Sequence, residues 1–458
     1  MALTAGTALA TRTLQAQAVP PWVALYRDTS DRIIRTALAD RFAWRRLAEL
    51  TDTFGPRHCG SRNLADAIRW IVDQMQRDGF ESVRTEPVKV PHWERGAERL
   101  EIIAPYPQRL PVLGLGNSVS TPGAGVEAEL IVVTSFGELE RRREEARQRI
   151  VLFNAPFKDY PSTVLYRTEG AARAAAAGAV ASLVRSVGPE GLRTVHTGSV
   201  RYGTTPRIPA ASVSVEDARR LQRMTERGPV TLRLHLGGRM LPDAESANVV
   251  ADLRGRELPH EIVLVGAHVD SWDVGDGALD DGGGCVAVWE VARLLKQLGL
   301  RPRRTVRVVL FTNEENGLRG AHNYRDVHLD ELTHHVLLVE SDMGVGRPNG
   351  FGVSGNEVVR EQVRSIAGLL QSIGATGVQA TGGGADIRPS AEVAGTPMLA
   401  PDVDSSEYFI VHHTEADTVD RIAPEEMARH VAALAVMTYV VAEMPHRLGE
   451  DPGGTGSG

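Results

Sequence analysis

One histidine and three acids stand in two short glycine-rich stretches. His268 and Asp270 lie in Gly266-Ala267-His268-Val269-Asp270, and Asp280 and Asp281 lie in Gly277-Ala278-Leu279-Asp280-Asp281-Gly282-Gly283-Gly284. Imidazole and carboxylate without thiolate is the donor set of a catalytic zinc site, and the same atoms would tolerate cobalt or manganese. Downstream, Glu314-Glu315, Asp342 and His413 add N and O donors, enough together for two divalent cations. Asp280, in a tight turn, can offer one oxygen to each of two ions roughly 3.5–4 Å apart; such a pair acidifies a water and polarises a carbonyl. Asp270, two residues past His268, points the same way on an extended backbone and can accept the imidazole N–H. The adjacent Glu314 and Glu315 supply one carboxylate to bind metal and one to act as general base, and spacing leaves open which is which.

These residues need a scaffold that brings them to one place. Three continuous apolar runs, 262–266, 306–311 and 336–339, stop just before His268, Glu314-Glu315 and Asp342. Runs apolar on both faces belong in the middle of a parallel sheet covered by helices, and such sheets bind ligands beyond the carboxyl ends of their strands. Helices are predicted at 284–298 and at 424–444, the latter with Pro424 in its first turn. A further helix at 63–79 carries Leu64, Ile68, Ile71, Val72 and Met75 on one face, opens on a capping Asn63, and feeds an extended run at 82–90. From Arg109 to Leu236 the texture changes to short extended pieces (126–135, 150–153), Gly/Pro turns, and an Ala-rich helix at 170–177 leading into 180–184. The predicted fold is α/β: a doubly wound, mostly parallel catalytic domain over 19–108 and 237–446, interrupted by an inserted domain at 109–236. A leader occupies 1–18 and a flexible tail 447–458.

Composition narrows the function classes. The chain has 458 residues, 42% of them hydrophobic, a formal net charge of -7, and no basic stripe interleaved with aromatics, so a nucleic-acid surface is not expected. The run at 138–149 reads as a solvated helix face with i,i+4 pairs. No apolar run reaches the roughly 20 residues that span a bilayer. The first residues end in Ala16-Gln17-Ala18, a small-x-small form typical of signal-peptidase sites, although a basic start is missing. Cys59 and Cys285 allow one bridge at most, and Cys285 is expected as a small buried hydrophobe. His322, His328, His334 and His335 read as surface or satisfied histidines, and Gly382-Gly383-Gly384 lacks the context of a phosphate loop. His412, beside His413, is ambiguous from spacing.

The same residues resemble the co-catalytic zinc aminopeptidase/carboxypeptidase family, which includes bacterial leucyl aminopeptidases and glutamate carboxypeptidases. The likeness also runs through Phe54-Gly55-Pro56-Arg57, Gly60-Ser61, Pro91-His92-Trp93-Glu94-Arg95-Gly96, Val133-Thr134-Ser135-Phe136, the stretch 268–273 and the stretch 408–418, and so covers about 23–444. It implies that His268, Asp280, Glu315, Asp342 and His413 are metal ligands, that Asp280 bridges two zinc ions, and that Glu314 is the general base with Asp270 behind the site. His413 falls on the family's His-Thr-x-x-Asp-Thr motif, which makes it the last ligand in place of His412. The inserted region would be a protease-associated domain. Where many aminopeptidase relatives have Ser-Asp-His this chain has Ala385-Asp386-Ile387, which weakens the transfer of aminopeptidase substrate contacts. The carboxypeptidase members imply short peptides with free termini as substrates, a homodimer, and a secreted, periplasmic or lumenal location. A zinc aminopeptidase of the same fold is the alternative. A non-catalytic binding or receptor module, and a single-zinc glutaminyl cyclase, are further readings that the complete ligand set and the likeness along the insert argue against.

Overall fold

Alternate residues of the strand that ends at His268 face two different hydrophobic layers. Val263, Val265 and Ala267 pack into the main core, whereas Ile262 and Leu264 pack with Tyr324, Ile387 and Ala391 on the opposite face. The computed structural model describes residues 20–450; the expected leader lies outside them, as does the tail beyond 450. Within that span the sheet strands are β1 (Ser82–Glu94), β2 (Arg239–Leu253), β3 (Leu258–His268), β4 (Arg304–Phe311), β5 (His335–Glu340), β6 (Pro348–Ser354), β7 (Gly377–Gln379) and β8 (Met398–Val403). Their order is β1-β2-β4-β3-β5-β8-β6-β7. The four central strands β4, β3, β5 and β8 are parallel, and β2 and β6 flank them antiparallel. Each of the three predicted apolar runs is one of these central strands.

Helices Gly283–Gln297 and Pro424–Glu443 pack on the main-core face of this sheet and on each other. Nearly every side chain of Pro424–Glu443 past its first turn is buried, and Pro424 stands at its start, where a missing N–H costs nothing. β4 is buried along its whole length although it contains Arg304 and Arg307. Arg307 is tolerated there because Asp252 on β2 takes its Nε at 2.8 Å and the Tyr324 hydroxyl its Nη1 at 3.2 Å.

The helix predicted at 63–79 is Arg62–Arg77, and its cap is Ser61 rather than Asn63. Ser61 has the extended backbone of an N-cap and accepts the Leu64 N–H at 3.2 Å; the Asn63 amide instead donates to the Pro56 carbonyl at 3.1 Å. The charged run at 138–149 is broken into two short helices, Phe136–Arg141 and Arg143–Ala146, with Arg142 between them reaching Glu138 and Glu145.

A second eight-stranded sheet is built from residues between Glu98 and Leu236 and has its own core. Its first strand, Glu98–Ala104, lies ahead of the boundary expected at 109. Strands Val126–Val133, Ile150–Phe153, Ala181–Arg185 and Ala210–Val213 run parallel at its centre. Cys59 and Cys285 are both free and buried, and Cys285 donates to the His268 carbonyl at 3.0 Å. Among the described residues no helix is long and apolar enough to cross a membrane.

Candidate metal centre

The loop that leaves β3 is held by a buried arginine. Arg57, fully shielded from solvent, spends its guanidinium on main-chain carbonyls: Nε on Val269 (3.0 Å), Nη1 on Gly55 and Asp276 (2.9 and 2.7 Å), and Nη2 on Gly277 (2.8 Å). Gly277 has a φ of 57°, and a Cβ there would press on the Ser271 side chain at 2.4 Å, so the turn requires glycine. The next turn is gripped by Asp417, whose two oxygens accept the backbone N–H groups of Ala278, Leu279 and Asp280 at 3.1, 2.7 and 3.1 Å. Burial pushes the Asp417 carboxyl up to about 7. Neither Arg57 nor Asp417 stood out as a site residue in the sequence, because each acts through main-chain atoms far along the chain.

Between these clamps the predicted donors converge. His268 Nε2 lies 3.2 Å from Asp280 Oδ1 and 3.2 Å from Asp342 Oδ1. His413 Nε2 lies 3.1 Å from Asp280 Oδ2 and 3.0 Å from Glu315 Oε2. Asp280 therefore gives one oxygen to each imidazole. The other ring nitrogen of His268, Nδ1, is 2.9 Å from the Asp270 carbonyl and must donate to it, so in the neutral ring Nε2 carries the lone pair and faces two carboxylates. His413 differs, with Nδ1 3.3 Å from the Thr197 carbonyl and 3.1 Å from Arg167 Nη1, which can only donate. A ring nitrogen facing carboxylate oxygens attracts them only with a proton or a metal cation between, and two donors on one tetrahedral zinc at ~2.0 Å stand about 3.3 Å apart, so the spacing suits metal ligation. Asp280 Oδ2 and Glu315 Oε1 are buried without any hydrogen-bond donor, as ligand atoms would be. The donor set fits two ions.

Asp270 differs from expectation in one respect. Its carboxylate is 4.0 Å from the His268 ring and does not take the imidazole proton; only its main-chain carbonyl does. The carboxylate instead accepts the backbone N–H of Glu314 (3.2 Å) and of Glu315 (3.3 Å), and Cys59 Sγ lies 3.4 Å away. The turn after β4 supplies these N–H groups because Asn313 has a φ of 67°, which bends the chain back over β3. Glu314 keeps partial exposure to the cleft. Burial, opposed by His268 and reinforced by Asp342 and Glu315, pushes its carboxyl well above the ordinary range. For Asp280 burial works in the same direction, but His268 and His413 outweigh it and hold the carboxyl well below that range.

Asp280, Glu314, Glu315, Asp342 and His413 line a cleft of about 600 Å³ whose opposite wall comes from the second sheet: Tyr160, Arg167, Ser199 and Arg201 among others. The second sheet also touches a donor directly. The Thr197 N–H donates to the His413 carbonyl at 2.9 Å, and Arg167 Nη1 lies 3.1 Å from His413 Nδ1. Arg95 ties the loop after β3 to the same region, bidentate on Asp273 at 2.7 and 2.8 Å and bonded to the Gly114 carbonyl at 2.6 Å. His412 stacks on His413 with centroids 3.6 Å apart and puts Nε2 3.4 Å from Asp280 Oδ2, farther than His413 does. Of the other histidines, His328 pairs with Glu86 and Glu331 and His335 with the Tyr324 hydroxyl, whereas His322 is exposed at the cleft.

Known proteins of two kinds resemble the chain. The description "Peptidase family M28" matches residues 248–438. Carboxypeptidase Q of Homo sapiens is 43% identical over 426 residues, 92% of this chain and 90% of its own. Carboxypeptidase Q of Xenopus laevis is 43% identical over 431 residues, 93% of this chain and 92% of its own. Among solved structures, a peptidase M28 precursor from Shewanella amazonensis SB2B matches with a TM-score of 0.90 at 33% identity, covering 94% of this chain and 99% of that one. BSAP, a zinc aminopeptidase from Bacillus subtilis, shares the fold, with a TM-score of 0.67 at 24% identity over 88% of this chain and 94% of its own.

Proposed function

The chain belongs to peptidase family M28 and is a zinc metallo-exopeptidase, and from that premise we propose that it is a two-zinc carboxypeptidase or dipeptidase acting on short peptides with free termini. The observation that carries the two-ion reading is the division of Asp280, Oδ1 toward His268 and Oδ2 toward His413. Asp342 would complete one site and Glu315 the other. Bound there, the ions would polarise the scissile carbonyl, stabilise its developing negative charge and acidify the attacking water.

The remaining steps belong to this chain's own side chains. Glu314 faces the cleft and, among the described residues, none donates a hydrogen bond to its carboxylate, so it is free to take the proton of the attacking water at one oxygen and deliver it to the leaving nitrogen. Asp270 acts as a positioning residue, fixing the Glu314-Glu315 turn through two N–H bonds. The wall contributed by residues 98–236, which we read as a protease-associated insertion, narrows the cleft to the size of a short peptide.

The test is hydrolysis of one dipeptide with both termini free, beside its N-acetylated and C-amidated forms, by zinc-loaded protein. Cleavage confined to forms with a free carboxylate supports the proposal. Cleavage of the amide but not the acetylated form supports the aminopeptidase reading, which the fold shared with the Bacillus subtilis enzyme keeps in view. No cleavage of any form supports a binding module. With the main reading we propose export from the cytoplasm and a homodimer, on the Ala16-Gln17-Ala18 site and the family likeness; cell fractionation and sedimentation velocity test these two points.

A further inference from the structure

His412 stands beside the divided carboxylate of Asp280, and the chemistry above gives it no task. It is 5% exposed and lines the cleft, with Nε2 3.4 Å from Asp280 Oδ2. Asp280 Oδ2 accepts no hydrogen bond among the described residues, so this approach does not consume a proton on Nε2. The other ring nitrogen, Nδ1, is buried and also lacks a hydrogen-bond partner among the described residues. A proton on Nδ1 would be a buried donor without an acceptor, so the neutral ring carries its proton on Nε2, the nitrogen beside Asp280. Resting on the peptidase reading above, but not on which substrate terminus must be free, we propose that His412 is a further catalytic residue. Its Nε2–H donates to the oxygen of the scissile carbonyl as negative charge develops there.

The ring is held on several sides. The turn Tyr408–Val411 ends at His412, whose N–H donates to the Tyr408 carbonyl at 2.8 Å, and His413 follows with a φ of 61°. Neighbours on an extended backbone would point apart; this bend stacks the two imidazoles instead, with 3.6 Å between centroids and 21° between planes. Tyr160 on the opposite wall meets the His412 ring edge-on at 5.1 Å, and Tyr408 and Phe409 close it in at 5.1 and 5.8 Å. The stack fixes His412 against the imidazole that faces Asp280 and Glu315, so a carbonyl drawn to that side of the centre comes to the same edge of the cleft as Nε2. A donor held in this way needs no reorganisation when charge appears on the oxygen, which is where a single hydrogen bond gains most.

The experiment compares the wild type with His412→Phe, which keeps an aromatic ring in the stack and removes the donor, and His412→Gln, which keeps an N–H of similar reach. Each zinc-loaded protein is assayed on one dipeptide that the wild type cleaves, analysed for zinc, and titrated with two inhibitors. One is a phosphinic dipeptide analogue, whose tetrahedral oxygens imitate the attacked carbonyl; the other is a product amino acid, which does not. For His412→Phe we expect kcat to fall roughly 100-fold, the loss that follows removal of one such donor, with KM within about threefold and zinc content unchanged. Affinity for the phosphinate should fall with kcat while affinity for the product holds, and His412→Gln should restore part of both losses. Wild-type kcat in His412→Phe, or equal weakening of the two inhibitors, refutes the donor role; zinc loss in step with kcat refutes it in favour of a ligand. If His412→Phe does not fold, His412→Asn, too short to reach the carbonyl, takes its place in the comparison. A wild type that cleaves no peptide removes the peptidase reading and this assignment with it.

Discussion

The carboxylate of Asp270 accepts the backbone N–H of Glu314 at 3.2 Å, so its side chain orients the proposed general base while its main-chain carbonyl orients the His268 imidazole. Asp270→Asn keeps the volume but turns one acceptor into a donor that faces the N–H of Glu314 or Glu315. We expect kcat to fall roughly 10- to 100-fold while His268, whose Nδ1 uses the Asp270 main chain, keeps its metal. Steady-state kinetics beside zinc analysis by mass spectrometry checks this; loss of zinc in step with activity would contradict it.

Glu314→Gln retains the shape of the base and removes its capacity to take a proton. Turnover should fall by roughly 100- to 10,000-fold with the metal content intact. A variant that still turns over at the wild-type rate would overturn the role given to Glu314.

Asp280 divides its oxygens between the two histidines, so its loss should cost more than the loss of either. Asp280→Ala is expected to reduce bound zinc at both sites, whereas His413→Ala should affect one. Chelation of the wild type should abolish activity, lower the Tm and be reversed by zinc, since metal at 100 times its Kd is worth about 2.7 kcal/mol of stability. Equal stoichiometry in the two variants would count against a shared ligand.

Arg57 lies behind the site with four guanidinium bonds to four different carbonyls. Arg57→Met leaves those acceptors buried and unpaired, at a cost of roughly 3–5 kcal/mol by analogy with broken buried ionic networks. The urea midpoint should drop accordingly, and zinc affinity with it, because the clamped loops carry His268 and Asp280. An unchanged midpoint would show that the loops hold themselves.

How much of this was legible in the residues differs by kind. His268, Glu314, Glu315 and Asp342 were legible because each follows a largely apolar run, broken only by Arg307, and runs apolar on both faces suit central parallel strands. The structure brings them to one cleft with Asp280 and His413. The cap at Ser61 was missed because Asn63 is an equally good capping type, and only the backbone dihedrals separate the two. Arg57, Asp417 and Arg95 were invisible as anchors because their partners are main-chain atoms or residues across a domain boundary, and periodicity carries no trace of such contacts. The wall with Arg201 was equally hidden, since it forms only where the two sheets meet.

His430 gives a stability signature away from the chemistry. It is buried in helix Pro424–Glu443, with Nε2 2.9 Å from the Ser341 hydroxyl, and burial pushes its ring down to about 4. The unfolded ring titrates near 6.5, so the folded value is depressed and the contribution is complete above about 6.5. As pH falls from there toward 4 the unfolded chain takes up a proton that the folded chain refuses. Stability then drops by about 1.4 kcal/mol per pH unit from this residue, roughly 3 kcal/mol in all. His430→Asn should flatten the pH dependence of the urea midpoint in that window; an unaltered slope would place the proton uptake elsewhere.

The bonds from Thr197 to His413 and from Arg95 to Asp273 stitch the two sheets together at the rim of the metal site itself. A clamshell motion that parted the sheets along this seam would pull His413 off its Thr197 partners and disturb the ion it is placed to hold. With the seam intact, the gap between the two walls, rather than their parting, would limit the length of what can be cut.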